Sequence, residues 1–339
     1  MTASSSRRAP KTASGAAPGS APAAASASAP EFVAGSDPTQ EQPAPACVMS
    51  FNASDPSGAG GTAGDVATIA AMGAHALPVV TAIMMRDTHE IFDQHALDAD
   101  VIAEQARGVL EDVTIAAWKV GYLGSTEGVS TVAEILSDYP DVPLVAYMPN
   151  LAWVEEDEQQ SYLDAFRELV LPQTEVLVGS HQTLTDFLLP DWDNDRPPSP
   201  RELAVAAGEH GTRYVLVTSV PLPDQYLDNV LASPQGPVTG EKFERFEVAF
   251  VGAGDTLSAA LAALLAAGAD LTAAVGEALA FLDQALDAGF RPGMGNVVPD
   301  RFFWALPADE ESGEGAEEAG SAGDPPDDDL PPTQSRHVH

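Results

Sequence analysis

Short apolar runs alternate with segments of helical period through the middle of this chain, and that alternation constrains its fold more than any other feature. Residues 47–51, 77–84, 116–120, 144–146, 176–178, 214–218 and 243–250 predict buried strands, although Pro78 interrupts the second. Helical spacing of apolar residues predicts helices over 61–72, 100–110, 126–139 and 156–171, with Thr126 as the N-cap of the third. Ser199-Pro200-Arg-Glu202 is a helix start, with a capping serine and proline at the first helical position, and that helix ends at Gly211. Two Ala/Leu-rich helices over 254–267 and 270–288 close the pattern. Strand–helix alternation of this kind predicts an α/β fold, a mostly parallel sheet with helices on both faces.

The two ends carry no such pattern. Residues 1–45 are mostly Ala, Ser, Pro and Gly, and 308–339 mix acidic clusters with Gly and Pro. Neither can bury enough apolar surface to offset its ordering entropy, so both are expected to be disordered tails around a folded core of 46–307. The N-terminal start is Arg/Ser/Ala-rich and acid-poor, as in organelle transit peptides, but disorder is the preferred reading. It has no apolar h-region for secretion, and no apolar run has transmembrane length. The single cysteine, Cys47, allows no intrachain disulfide, and the cytoplasm is the expected compartment.

Net charge is −36. The C-terminal tail holds ten acids and Arg336 while the N-terminal tail is balanced, which leaves −27 on the core. A core this acidic excludes nucleic acid and anionic membranes as expected partners. Any anionic ligand must be held locally, by backbone amides or a metal.

Val251-Gly-Ala-Gly-Asp255-Thr is the sharpest local signal. Two glycines allow a tight turn, and the helix that follows points free N–H groups and its positive dipole end at that turn. An anion fits there without Lys or Arg. Asp255, in the first helical turn, could take the proton of an attacking alcohol in phosphoryl transfer; the bland alternative is a tight turn with an acidic helix start. A second glycine-dense segment, Ser54-Asp-Pro-Ser-Gly-Ala-Gly60-Gly-Thr-Ala-Gly-Asp65, follows the first strand, at the strand end where ligands of open α/β sheets collect. It matches neither a dinucleotide fingerprint nor a P-loop.

These segments, with Leu77-Pro-Val-Val-Thr-Ala82, Lys119-Val-Gly-Tyr-Leu123 and Gly252-Ala-Gly-Asp-Thr-Leu-Ser-Ala-Ala-Leu-Ala-Ala263, resemble the hydroxymethylpyrimidine/phosphomethylpyrimidine kinases in order along the core. The resemblance implies a ribokinase-like three-layer fold and ATP-dependent phosphorylation, with Mg2+, of the pyrimidine hydroxymethyl group and then of the monophosphate. It implies Gly252, Ala253 and Gly254 as an anion hole, Asp255 as base, and Gly60, Asp65, Arg86 and Tyr122 beside the substrate. A homodimer is the expected assembly. Asp255 replaces the Cys usual in this branch; Arg86 stands for a Gln that reads the pyrimidine, and Tyr122 for a Met. The family's Asp-Pro-Val-Met becomes Tyr147-Met-Pro-Asn150, its Thr-Pro-Asn-x-x-Glu becomes Gly179-Ser-His-Gln-Thr-Leu184, and a phosphate-binding Lys becomes Thr218. No metal ligand is therefore assigned. Two alternatives stay open: a kinase for a pyridoxal-type vitamer, and a non-catalytic descendant that binds a ligand or regulates.

His75, His89, His95, His181 and His210 show no metal-ligand spacing. Glu155 to Glu158 reads as an acidic helix start, and Trp153, Trp192 and Trp304 as packing anchors. The Phe290 to Gly295 segment could line a nucleotide pocket or be an ordinary loop.

Overall fold

The computed structural model describes residues 44–305, and the expectations for the two tails lie outside them. The strands are β1 (Cys47–Ser54), β2 (His75–Arg86), β3 (Ile91–Ala96), β4 (Ala117–Val120), β5 (Leu144–Tyr147), β6 (Val176–Ser180), β7 (Tyr214–Pro221), β8 (Tyr226–Ser233) and β9 (Gly236–Glu244). They form one sheet in the order β3-β2-β1-β4-β5-β6-β7-β8-β9. Neighbours from β2 through β7 pair in parallel, while β3, β8 and β9 add antiparallel margins. The helices are α1 (Gly61–Ala71), α2 (Ala99–Leu110), α3 (Thr126–Ser137), α4 (Glu156–Ala165), α5 (His181–Leu188), α6 (Pro200–Glu209), α7 (Ala253–Ala266) and α8 (Leu271–Asp287).

Side chains alternate across β1 to make two cores. Met49 and Phe51 face a layer that buries Ile102 of α2, Val129 and Val132 of α3, Tyr162 of α4, Phe187 of α5 and Leu203 of α6. Val48 faces the other layer, formed by Ile69 of α1 with α7 and α8. The residues of α7 from Thr256 to Leu264 are all buried, and their small side chains let this helix lie close against the sheet.

Several boundaries differ from the sequence expectation for identifiable reasons. Pro78 sits inside β2 because β3 pairs only from Ala82 onward, so the missing N–H costs no ladder bond there. Ser125, not Thr126, caps α3, with its side chain accepting from the Gly128 N–H. The helix expected over 156–171 changes its winding after Ala165: Phe166–Val170 is a π-turn and Leu171–Gln173 a 3-10 turn containing Pro172, which cannot continue the hydrogen-bond ladder. The capping box of Ser199 and Glu202 at α6 is formed in full.

The strand expected over 243–250 is a correction. β9 ends at Glu244, and Phe250 makes only one bridge, to Val297. The aromatics there serve a cavity wall instead, with Phe246 packed on Phe250 at 5.2 Å between ring centroids. β3, α5 and β8 were not expected. β8 follows a tight turn in which Asp224 and Gln225 both take positive φ, a geometry suited to a hairpin but without the usual glycine signal. No described helix is long and apolar enough to cross a membrane.

Candidate active site

The carboxyl ends of β1, β5, β6 and β7 converge on the amino end of α7. Gly252 caps that helix with φ 86°, a left-handed conformation that glycine adopts without steric cost. A Cβ at Gly252 would also overlap the Ala59 carbonyl oxygen of the first glycine-rich turn. The two glycine segments are therefore packed backbone to backbone, although about 190 residues separate them in the chain. The first-turn amides of α7 have no helical acceptors and remain available to an anion. Arg301, buried, secures this junction: its Nε donates to Thr256 Oγ1 at 3.0 Å and its Nη2 donates to the Ala59 carbonyl.

Asp255 lies in the same first turn and is clamped from three directions. Lys119 Nζ stands 2.7 Å from Oδ1, Asn52 Nδ2 donates to Oδ1 at 2.8 Å, and the Gly61 N–H at the start of α1 donates to Oδ2 at 3.0 Å. Its side chain keeps 15% exposure, while those of Lys119 and Asp65 keep none. Lys119 also meets Asp65 at 2.9 Å, and Ser50 and Asn52 donate to that carboxylate. Asn52 is itself fixed, because its Oδ1 accepts the Ala53 and Tyr122 N–H groups.

The electrostatics follow from this geometry. Burial pushes the Asp255 carboxyl upward, but Lys119, the Gly61 amide and Asn52 outweigh it and hold the group below the ordinary aspartate value. Asp65 is displaced the other way: burial dominates the attraction of Lys119, and the neighbouring Asp255 charge adds to the rise. For Lys119, burial alone would lower the ammonium, yet the two carboxylates raise it. Asp255 is thus an ionised, weakly basic carboxylate in contact with solvent.

Two cavities border the first turn of α7 and share Tyr147 as a lining residue. The larger, about 620 Å3, runs from Ala253 and Gly254 along Thr218, Ser219 and Asn229 to an apolar wall that includes Phe243, Phe250 and Leu282. Its size is ordinary for a cofactor-sized ligand. The smaller, about 80 Å3, is lined by Asp255 itself with Asp55, Arg86, Tyr122, Tyr147 and Trp153 among others. A phosphoryl donor in the larger and an alcohol in the smaller would approach each other along the first turn of α7, with Asp255 on the side of the alcohol.

The family model for phosphomethylpyrimidine kinase matches residues 55–300. This chain belongs to the phosphomethylpyrimidine kinase family. It is 31% identical over 271 residues to the hydroxymethylpyrimidine/phosphomethylpyrimidine kinase of Mycobacterium tuberculosis (strain H37Rv), covering 76% of this chain and 94% of that one. It is 30% identical over 281 residues to the chloroplastic thiamine biosynthetic bifunctional enzyme of Arabidopsis thaliana, where the match spans 78% of this chain and about half, 51%, of the relative. Bacillus subtilis pyridoxal kinase, solved as an ADP complex, superposes with a TM-score of 0.70 over 78% of this chain and 100% of that one. At 20% identity that likeness shows the fold alone, and the fold is the expected ribokinase-like one.

Within this kinase-family site the sequence-chosen residues fall in different places. Gly252, Ala253, Gly254 and Asp255 form the α7 turn as described. Arg86 and Tyr122 line the small cavity. Arg86 Nη1 lies 3.7 Å from Asp55, whose carboxylate also accepts the Ser57 and Gly60 N–H groups and so shapes the glycine turn. Asp65 does not reach the cavity: it is fully buried behind it, as the second carboxylate of Lys119. Gly60 packs against Asp255, where a Cβ would come within 2.6 Å of Oδ2. Trp153 does line the small cavity, stacked edge-on to Tyr122 at 5.3 Å, so it is more than a packing anchor. The segment from Phe290 lines neither of these two cavities; the Asn296 N–H that follows it donates to the Thr88 carbonyl at the β2–β3 turn.

Asn52, Lys119, Tyr147, Asp55 and Arg301 were missed as site residues. Asp55 and Tyr147 lay in segments already singled out, the first glycine-rich turn and the altered Tyr147-Met-Pro-Asn150 motif, and Lys119 was a charge inside the apolar strand Ala-Trp-Lys-Val; Asn52 and Arg301 carried no signal.

Proposed function

We propose that this chain transfers the γ-phosphoryl group of ATP to the hydroxymethyl group of a small heteroaromatic compound, hydroxymethylpyrimidine or its monophosphate, in thiamine biosynthesis. The observation that carries this reading is the partly exposed Asp255 carboxylate, which lines the small cavity from the same helical turn whose Ala253 and Gly254 border the large one. The amides hold and neutralise the phosphoryl group in transit. Asp255 accepts the proton of the attacking hydroxyl, and a weak base suffices because phosphoryl transfer passes through a loose transition state that asks little of the nucleophile.

The larger cavity suits the nucleotide, with its apolar wall for the base and the α7 amides for the phosphates. Among the described residues no three His, Cys, Asp or Glu side chains converge as a metal cage. Magnesium is commonly held by phosphate oxygens and water with one or two carboxylates, so it would be brought with the nucleotide and neutralise phosphate charge. The expected homodimer remains a proposal; exposed Ile83, Met85 and Phe92 on β2 and β3 support it.

Incubation with ATP and magnesium across a panel of hydroxymethyl pyrimidines, their monophosphates, pyridoxal-type compounds and sugars, read by phosphorus NMR, tests the function. A phosphorylated pyrimidine is the expected product; phosphorylation only of the pyridoxal compounds would move the substrate class, and no product with any acceptor would defeat the kinase reading. Arg86 gives the panel a finer expectation. An always-charged guanidinium in the small cavity favours an anionic acceptor over a neutral alcohol. Arg86→Gln is expected to shift preference toward the neutral alcohol by about 1–3 kcal/mol, the scale of a charged hydrogen bond. Unchanged relative kcat/KM would mean that Asp55 consumes the Arg86 charge.

A further inference from the structure

Among the residues lining the two cavities, Tyr147 is shared by both. It ends β5 at the carboxyl edge of the sheet, and its ring lies directly on Gly254, where any Cβ would overlap the phenol carbons and hydroxyl. Gly254 belongs to the anion-binding turn and borders the large cavity; the next residue, Asp255, borders the small one. A group that moves from nucleotide to acceptor must therefore travel along the α7 turn beneath this ring. Lys119 Nζ stands 5.8 Å from the ring centroid on the protein side.

The chemistry of the phenol suits that position. Burial, and then the Asp255 charge, push its ionisation upward, so the hydroxyl is a neutral O–H donor throughout the physiological range. It donates to no other described residue, and it is not among the sealed, unpartnered polar atoms of the interior. A donor with no acceptor among the described residues, open to a cavity and set beside free helix amides, has the placement of a group that serves a ligand oxygen.

We infer that Tyr147 is a further catalytic residue, whose hydroxyl donates a hydrogen bond to the phosphoryl group in transit while its ring keeps water off that group. This rests on the proposed phosphoryl transfer. In the step itself the bond from phosphorus to the nucleotide's leaving oxygen breaks and a bond from phosphorus to the acceptor hydroxyl oxygen forms. The hydroxyl proton passes to Asp255, the leaving phosphate departs with the bonding electron pair, and the Tyr147 proton stays on the phenol.

Two variants of the full chain separate the two contributions. Tyr147→Phe keeps the ring and is expected to lower kcat by about a hundredfold, the scale of losing one oxyanion donor, with both KM values and the melting temperature close to wild type. Tyr147→Ala removes the ring as well as the hydroxyl and is expected to hydrolyse ATP several-fold faster than Tyr147→Phe in the absence of any acceptor, because water then reaches the phosphoryl group. Wild-type kcat in the Phe variant, or hydrolysis in the Ala variant no faster than in the Phe variant while nucleotide binding persists, would overturn the inference. If wild type phosphorylates no acceptor, the kinase reading fails on its own. The acceptor-free hydrolysis of the Ala variant relative to the Phe variant then decides the role of the ring by itself, equal rates overturning it.

Discussion

Replacing Asp255 by Asn is expected to lower turnover by about 10²–10⁴-fold, the usual contribution of a general base, with nucleotide affinity within a few-fold of wild type. That loss corresponds to about 2.7–5.4 kcal/mol in the barrier. The nucleotide side is spared because the α7 amides belong to the backbone and the large cavity does not include the Asp255 side chain. Asn is nearly isosteric with Asp, but it is not an innocent replacement here. Asp255 accepts on both oxygens, from Lys119 and Asn52 on one and from Gly61 on the other. An amide can accept on only one side, so one donor faces the new NH2 group at a cost of about 1–3 kcal/mol. A lower melting temperature will therefore accompany the lost turnover, and kcat has to be scaled to the fraction that binds nucleotide. Undiminished kcat on that basis would remove Asp255 from the proton transfer.

Lys119 governs the second large effect. Lys119→Met is expected to destabilise the fold by about 3–5 kcal/mol, as when one partner of a buried ion pair is removed. Two carboxylates, Asp65 and Asp255, then face each other without their shared cation. The direction of the pH dependence separates this electrostatic loss from a packing defect. In the wild type, the raised Lys119 contributes stability that is fully present below its ordinary value of 10.5 and lost as pH rises through the higher folded value. The depressed Asp255 contributes stability present above 3.8 and lost as pH falls through its folded value. Asp65, already raised, works in the opposite sense to Asp255. Without Lys119 both carboxyls rise, so the variant gains stability as pH falls toward the aspartate range. Urea denaturation at pH 5 and pH 8 should thus show a smaller deficit at pH 5. Lys119→Met combined with Asp65→Asn should recover part of the loss, since one of the uncompensated charges is gone. A deficit independent of pH, and additive with Asp65→Asn, would show that Lys119 acts by its volume.

These expectations also mark where the site was legible. The α7 turn could be read directly, because Gly252 and Asp255 act through φ, amide direction and helix polarity within four residues of each other. The helix start at Ser199 was legible for the same reason, its cap closing over three residues, and the structure adds the reciprocal bond from Glu202. Arg86 and Tyr122 were reached through family resemblance, and the fold brings both to the small cavity. Asp65 was placed beside the substrate by the same route, but its burial puts it one layer deeper.

What composition and periodicity determined without coordinates was the alternation of strand and helix and the mostly parallel sheet. Those properties depend on residues within a turn or two of one another, or on an average over the chain. The pairing of Lys119 with Asp65 and Asp255 spans 54 and 136 residues. Nothing local announces it, because it exists only where the crossover order places β1, β4 and α7 side by side. The same holds for β8 and for Tyr147. The strand is stabilised by partners on both sides rather than by its own propensity, and the tyrosine becomes a shared wall only when β5 ends against the first turn of α7. Long-range proximity of this kind carries the burial and charge coupling that tune Asp255, and it is set by packing of the whole sheet rather than by any segment of it.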